Sequence, residues 1–368
     1  MIMMKRYTFF VLVLGLLMAC SKDEVHKPGP VVTVNLVLPA VENEVAGTRA
    51  PGDPGTEVKL DPPTIAYIYF VKEAGGVSYV VNSDFKHLAD PVGAPDIWTE
   101  VPRKVTISSF FGAPTETAYG GSLKTNGDVV YRYPMKKLQL PDGCTKGRFY
   151  VVTSNVALKQ GSTNLEDVVV ADEDAIKNLT IDFYSDEMKA DLPNIYSSPC
   201  NYMIGSPSAY YYGTIEGEND VVDLVLYHVA SRVDVKWNVA SALQATRKIK
   251  EMTAANLKAK DCYIFKPMAN TTLGSDPDPY SKSLKTADEV GRQWYGRASF
   301  YTIPYQTEES TKKYFPFNLV VHNGSAENTT TVKLNMKNAD PVFVPWIRVN
   351  LTYDGESDFT QSTLTLGD

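Results

Sequence analysis

The feature that most constrains the fold is an alternation of apolar and polar side chains, with a period of two residues, that recurs in short segments. Segment 31–39 shows it most clearly. Its apolar side chains fall on one face of an extended backbone, at Val32, Val34, Leu36 and Leu38. Thr33 and Asn35 fall on the opposite face. Such a period, in a segment rich in β-branched residues, is typical of a β-strand.

Similar segments predict strands along the whole chain. Thr64–Val71 and Val77–Val81 flank Gly75-Gly76 and predict a hairpin. The other predicted strands are Val105–Phe111, Val129–Leu140, Arg148–Asn155, Ser299–Tyr305, Phe317–Val321, Thr330–Met336 and Trp346–Tyr353, with two more in Val221–Trp237 joined by a bend at Ala230-Ser231. Leu165–Ile176 has a helical pattern, and 248–268 fits a helix or a strand. A dozen or more strands with little helix predict an all-β fold of β-sandwich architecture.

The N-terminus has the pattern of an export signal. Lys5 and Arg6 precede an apolar segment, Phe9–Leu17, which is too short to span a bilayer, because a spanning helix needs about 20 residues. Leu17-Met18-Ala19-Cys20 has the pattern of a lipobox. The pattern predicts a signal peptide over residues 1–19 and a mature chain that begins with diacylated Cys20. An ordinary signal peptide that contains a cysteine is the alternative.

A loop of different composition follows the first predicted strand. Residues 42–56 are first acidic and then rich in glycine and proline, with one isolated basic residue, Arg49. Exposed loops of this composition are preferred sites of proteolysis. The candidate cleavage is therefore the bond between Arg49 and Ala50.

No catalytic, metal-binding or cofactor-binding pattern is present in the sequence. The four histidines lack metal-ligand spacing, and no nucleophile elbow, P-loop or dinucleotide-binding glycine pattern occurs. Asp172-Glu173-Asp174 fits the acidic start of a helix better than a calcium loop. Tyr210–Tyr212 fits strand packing or a carbohydrate-stacking platform. A net charge of −7 gives no support for nucleic-acid binding.

The cysteines after Cys20 do not form a disulfide framework. Only Cys144, Cys200 and Cys262 remain, which is an odd number. Their spacing includes no C-x-x-C pair, so we expect buried or partly exposed side chains without a shared role. The sequence leaves open whether any two of them pair.

Several of these segments together resemble the fimbrillin family, the structural subunits of type V pili. The resemblance spans nearly the whole length and includes the lipobox, the strand with its arginine loop, and the β-rich segment Ile65–Val71. It also includes the apolar strand Phe149–Asn155, the segment from Glu218 to Lys236 with His228-Val229-Ala230-Ser231-Arg232-Val233, and Lys248–Pro267.

The resemblance implies two tandem transthyretin-like β-sandwich domains and assembly by strand exchange with other fimbrial subunits. The implied division is a tether, first strand and loop over 20–56, one sandwich over 57–195 and a second over 196–368. Cleavage after Arg49 would release the strand with Val32, Val34, Leu36 and Leu38, and a strand of another subunit would fill the groove. The implied location is the cell outer membrane, through the lipid on Cys20, and the fimbrium.

The C-terminal segment departs from the family's stalk subunits. After Trp346–Tyr353 only Asp354–Asp368 follows, with weak alternation at Phe359, Leu364 and Leu366. A stalk subunit continues with a longer donor extension, so we favour an anchor or accessory subunit. A stalk subunit with a short donor and a surface glycan-binding lipoprotein of a nutrient-uptake system are the alternatives.

Overall fold

The protein is described by a computed structural model. The described residues are 29–39, 41–43, 57–59, 61–74, 77–81, 86–89, 97–118, 129–133, 136–142, 144, 146–183, 186–192, 195–197, 214–215, 221–245, 248–257, 260–265, 280–302, 307–309, 312–322, 329–335, 346–353 and 360–367.

The described chain is all-β, as predicted, with short helices only between strands. Its first strands are β1 (Val31–Pro39), β2 (Val41–Asn43), β3 (Glu57–Lys59), β4 (Ile65–Ala74), β5 (Val77–Val81), β6 (Lys86–Ala89), β7 (Ile97–Glu100), β8 (Lys104–Thr106), β9 (Thr115–Ala118), β10 (Val129–Arg132), β11 (Lys136–Gln139), β12 (Lys146–Ser154), β13 (Lys159–Gln160), β14 (Thr163–Asn164), β15 (Thr180–Ile181), β16 (Tyr196–Ser197), β17 (Thr214–Ile215), β18 (Val221–Val225) and β19 (Tyr227–His228).

The later strands are β20 (Ser231–Val239), β21 (Glu251–Leu257), β22 (Cys262–Tyr263), β23 (Tyr280–Lys285), β24 (Tyr295–Thr302), β25 (Thr307–Glu309), β26 (Lys312–His322), β27 (Thr329–Asn335), β28 (Trp346–Tyr353) and β29 (Thr360–Gly367). The α-helices are α1 (Ile107–Phe110), α2 (Glu173–Lys177) and α3 (Asp186–Asp191), and the 3₁₀-helices are Leu165–Asp167, Ser241–Leu243 and Val290–Arg292.

Two large sheets are built mainly from the N-terminal half. The first has the order β7-β6-β11-β1-β10-β9, and β18 pairs with β1. The second has the order β19-β16-β12-β4-β5, with β17 on β12 and β8 on β4. A shared apolar core lies between them, with side chains from β1 in the first sheet and from β4 and β12 in the second.

The β4–β12 sheet has a second apolar core on its other face. There Tyr67, Tyr69 and Tyr150 pack against the segment that follows β12 and against Ile264 and Phe265. Residues on alternate positions of β4 and β12 thus enter different cores, because side chains alternate between the faces of a sheet. This two-sided burial explains why both strands are almost continuously apolar.

Two further sheets come from the C-terminal half. One has the order β24-β20-β28-β29, and the other has β23-β21-β26-β25 with β27 on β26. Val233, Val235 and Trp237 of β20 are buried, at no more than 2% exposure. The predicted bend before β20 is present at residues 229–230, where the chain passes from the β1 and β12 sheets to the β20 sheet.

Several predicted segments are confirmed. Ile65–Ala74 and Val77–Val81 pair as a hairpin, and Lys146–Ser154 is a long strand. In the ambiguous segment 248–268, residues 251–257 and 262–263 are strands. The predicted domain boundary between residues 195 and 196 stays a prediction; β16, β17 and β18 after it pair with strands of the first two sheets.

Three segments differ from their prediction. Only residues 105–106 of the predicted strand 105–111 belong to a strand, β8, because the chain then turns through α1 to bury Ile107 and Phe110. The predicted strand 129–140 is interrupted, because β10 ends at Arg132 and β11 begins at Lys136. The helical segment 165–176 is a 3₁₀-helix followed by α2, which ends at Lys177.

Candidate strand-exchange site

The first strand lies in the middle of its sheet. Residues Val31–Val34 of β1 pair antiparallel with β11, and Val37–Pro39 pair antiparallel with β10. The opposite edge of β1 pairs in parallel with β18, from Thr33 with Val221 to Val37 with Val225. We call the space between β18 on one side and β10 and β11 on the other the strand slot.

Hydrogen bonds outside the regular ladders also fix β1 along its length. The amide of Leu140 donates to the carbonyl oxygen of Pro30 (2.9 Å), just before the strand begins. The amide of Tyr133 donates to the carbonyl oxygen of Leu36, and the amide of Leu226 donates to the carbonyl oxygen of Val37, each at 2.9 Å. The bond from Tyr133 spans the interruption between β10 and β11, so backbone pairing continues where the neighbouring strand is broken.

The inner face of β1 carries the four predicted side chains. Val32, Leu36 and Leu38 have no exposed surface, and Val34 has 1%. All four belong to the core shared with β4 and β12, as the alternation predicted for this face. Burial of such a side chain contributes about 1.5–3 kcal/mol. Together they contribute about 6–12 kcal/mol, which is comparable with the entire stability of many domains.

A glycine positions the chain just before β1. The amide of Gly29 donates to Asp142 Oδ1 (3.0 Å). A Cβ atom on Gly29 would clash with the backbone carbonyl oxygens of Leu140 and Pro141. Backbone atoms cannot move aside as a flexible side chain can, so this close approach requires glycine. The sequence alone did not single out Gly29 or Asp142.

On the outer face of the slot, three polar side chains from three neighbouring strands are joined by hydrogen bonds. Arg132 Nη1 and Nη2 of β10 donate to Asp223 Oδ1 (2.8 Å) and Oδ2 (3.1 Å) of β18. Between them, Asn35 Nδ2 of β1 donates to Asp223 Oδ1 (2.7 Å). We call these three residues the polar clasp. Asn35 is only 6% exposed, whereas the side chains of Arg132 and Asp223 are about one-third exposed.

The clasp was not predicted from the sequence. The alternation in segment 31–39 predicted that Asn35 lies on the face opposite the four apolar side chains, but Asp223 was not predicted as its partner. Asn35 and Asp223 are 188 residues apart, so no local pattern connects them. An acidic residue within an apolar strand was the available signal.

The candidate cleavage bond lies between two paired strands. β2 and β3 pair antiparallel, with Val41 opposite Lys59 and Asn43 opposite Glu57. Arg49 and Ala50 fall in the connection between them, outside the described residues, and so does the lipidation candidate Cys20. The first strand is thus followed by a short two-stranded element that joins it to the rest of the chain.

The far face of the β4–β12 sheet carries a different polar network. Arg148 donates from Nε to Glu173 Oε1 (2.9 Å) and from Nη2 to Oε2 (2.6 Å), and Tyr150 Oη donates to Oε1 (2.5 Å). Burial alone would raise the pKa of Glu173, but hydrogen bonds from Tyr150 and Arg148 and the Arg148 charge lower it overall. Asp172 accepts from the amide of Ala175, so this acidic segment caps α2, as favoured over a calcium loop.

The remaining candidates are not assembled into one site. Cys144 and Cys262 are buried free thiols, burial raises the pKa of Cys144, and Cys200 and Tyr210–Tyr212 lie outside the described residues. His87, His228 and His322 belong to strands of three different sheets. Within the described ranges, no group of side chains has a metal-binding arrangement. In the same ranges, no helix combines the length and apolar character needed to cross a membrane.

Comparison with known proteins gives matches in structure but not in sequence. No protein-family model and no curated protein matches the sequence significantly. The chain is similar in structure to a fimbrial assembly protein from Parabacteroides distasonis, with 12% identity, a TM-score of 0.40, and coverage of 91% of this chain and 98% of that chain. It is also similar to the fimbrial anchor protein Mfa2 from Porphyromonas gingivalis, with 10% identity, a TM-score of 0.37, and the same two coverages.

Proposed function

We propose that this chain is a structural subunit of a cell-surface fimbria, assembled by strand exchange and contributing to adhesion. The observation that carries the proposal is the place of β1, an N-terminal strand inserted between β18 on one edge and β10 and β11 on the other. A slot with backbone partners on both sides and apolar contacts beneath can accept any strand of matching pattern. The proposed role is structural and not catalytic.

The connection after β1 makes exchange feasible. If the chain is cut after Arg49, β1 and β2 are held only by non-covalent contacts. Loss of β1 would expose the paired edges of β18, β10 and β11 and the apolar core beneath them. Unpaired strand edges readily pair with another chain, so a donor strand from a second subunit would be bound strongly.

We further propose that the subunit serves as an anchor or accessory component. Residues Thr360–Gly367 are paired with β28 of the same chain, from Trp346 opposite Gly367 to Thr352 opposite Thr360. A segment already used within its own sheet is not free to act as a donor. Together with a lipid on Cys20, this arrangement favours a subunit that is held at the outer membrane and offers no donor strand of its own.

The experiment that tests this role is the N-terminal mass of the protein from intact, fimbriated cells and from purified fimbriae. Acylated Cys20 on an uncut chain would support the anchor and indicate that β1 fills its own slot. A chain that begins at Ala50 would support a polymerising subunit. Absence of the protein from fimbriae, together with unchanged fimbriation after its deletion, would contradict both roles.

A second candidate function is supported by one surface feature. Trp294 is 38% exposed and its neighbour Tyr295 is 65% exposed, at the start of β24. Exposed aromatic rings of this kind stack on sugar rings, which favours a glycan-binding lipoprotein of a nutrient-uptake system. A glycan array with the natural protein and a Trp294→Ala, Tyr295→Ala variant would test it. Binding that the variant loses would support this function over a fimbrial one.

A further inference from the structure

We infer that Asp223 selects the strand that occupies the slot, by requiring a hydrogen-bond donor side chain at the position of Asn35. The inference rests on the proposed function and names the partner's chemistry. The partner is a β-strand of another subunit with apolar residues at the positions of Val32, Val34, Leu36 and Leu38. Between the second and third of these positions it carries an amide or another neutral donor.

The geometry of the clasp supports this requirement. Asn35 and Asp223 are directly aligned in the parallel pair of β1 and β18, so their side chains lie on the same face. The Asn35 amide donates to Asp223 at 2.7 Å and is almost fully buried. An apolar side chain there would leave Asp223 one hydrogen bond short, and a carboxylate would place two like charges together.

The second neighbour of β1 reinforces the selection. Arg132 occupies both oxygens of Asp223 from the far side of the slot, which fixes the carboxylate above β1. A carboxylate held in this way cannot turn away from a mismatched strand. Because a strand that shifts by one residue exchanges its two faces, the clasp also fixes the register of the occupant.

Thr33 provides a matched control on the same face. It is aligned with exposed Val221 on β18 and with Lys137 on β11. An added carboxylate at Thr33 therefore meets no acidic residue at its aligned positions. Thr33→Asp and Asn35→Asp change the charge of a strand equally, but only the second places the new charge against Asp223.

The test uses the full chain with a specific protease site introduced between Thr48 and Ala50. The protease cuts the folded chain at this site, so that β1 stays bound but is no longer covalently joined to the rest. Synthetic peptides of residues 29–43 then compete with a fluorescent native peptide. We expect the Asn35→Asp peptide to bind at least about tenfold more weakly than the native peptide, and the Thr33→Asp peptide to bind within about threefold of it. On an Asp223→Asn protein the order of the native and Asn35→Asp peptides should reverse, since Arg132 can then pair with the new carboxylate.

Equal binding of the native and Asn35→Asp peptides would overturn the inference, as would the lack of any rescue by Asp223→Asn. If not even the native peptide exchanges, the proposed function fails instead, and the uncut chain supplies the deciding measurement. In the uncut chain, urea unfolding measures the stability of Asn35→Asp, Asp223→Asn and the double variant. Asp223→Asn should relieve the destabilisation that Asn35→Asp causes. If the free-energy changes of the two single variants simply add in the double variant, selection by Asp223 is refuted.

Discussion

The two faces of the β4–β12 sheet are covered in different ways. One face is covered by the segment that directly follows β12, from Leu158 to Ile195, together with residues near 230 and 264. The other face is covered through β1, whose partner strand β18 lies far away in sequence. We propose that another chain can supply the cover that is made through β1, whereas it cannot replace a cover that is continuous with β12.

The two covers also differ in the interactions that hold them. We call the segment after β12 the local cover and β1 the distant cover. The local cover is joined to β12 by the charged contacts of Glu173 with Arg148. The distant cover is held by backbone pairing on both sides of β1, by four apolar side chains and by the hydrogen bond from Asn35 to Asp223. A strand with the same apolar pattern and a donor side chain at that position can make the same contacts. Closing a long loop also costs more entropy than closing a short one, so β1 should dock late during folding.

The strongest way to break the comparison is to delete β1. Removal of residues 29–43 should cost about 6–12 kcal/mol, because four fully buried side chains are lost, and should abolish cooperative thermal unfolding. A synthetic peptide of the same residues, added during refolding, should restore the transition. Deletion of Thr360–Gly367, which pairs with β28 alone among the described strands, is the control and should leave the β1 core folded.

A pair of leucine variants separates stability from strand retention. Leu36→Ala in β1 and Leu165→Ala in the local cover should each lower the free energy of unfolding by about 2–5 kcal/mol, since both side chains are fully buried. Only Leu36→Ala should speed the release of β1 from a chain cut after Arg49, by at least about tenfold. Equal release rates for the two variants would contradict the proposal that β1 can leave while the local cover stays in place.

The start of β1 offers a smaller test. Gly29→Ala should destabilise the protein by about 1–3 kcal/mol, because the new Cβ meets backbone carbonyls that cannot move freely. Gly291→Ala is the matched control, since a Cβ there meets open space. Chemical unfolding of both variants checks the expectation. A neutral Gly29→Ala would indicate that the chain before β1 is not held against Leu140 and Pro141.

Glu173 gives the smallest effect and concerns the local cover. Its lowered pKa in the folded state means that its carboxylate stabilises the protein above the unfolded pKa of about 4.3, and that this stabilisation is lost as pH falls through the folded pKa. Glu173→Gln should therefore cost about 1–2 kcal/mol at pH 7 and progressively less below about pH 4. Urea unfolding of both proteins from pH 3 to 7 measures this difference. A constant difference over that range would exclude the carboxylate as its source.

Local sequence patterns predicted which segments form strands better than they predicted which strands pair with each other. The alternation of Val32, Val34, Leu36 and Leu38 was enough to predict the buried face of β1, because side-chain period and burial are linked directly. Nothing local predicted that β18 would pair with β1 in parallel, since this pairing depends on residues almost 190 positions apart. For the same reason the sequence placed Asn35 on the polar face of β1 but did not predict that it is buried beside Asp223.

The prediction of a strand over residues 105–111 was wrong beyond residue 106 for a similar reason. Val105, Ile107 and Phe111 would lie on one face of an extended chain, which fits a strand. Ile107 and Phe110 are three residues apart, which also fits a helical turn, and the turn places both in the β1 core. Short apolar segments fit both patterns, so only the tertiary core decides between them.

We propose above all that β1 occupies a slot that a separate strand can fill. The most direct test is native mass spectrometry of the full chain, cut by a specific protease in the loop that contains Arg49 and incubated with an excess of isotopically heavy peptide of residues 29–43. We expect a folded complex whose light β1 segment is replaced by one heavy peptide. A chain that keeps its light segment under all conditions in which it stays folded, or that loses it and binds no heavy peptide, would contradict this proposal.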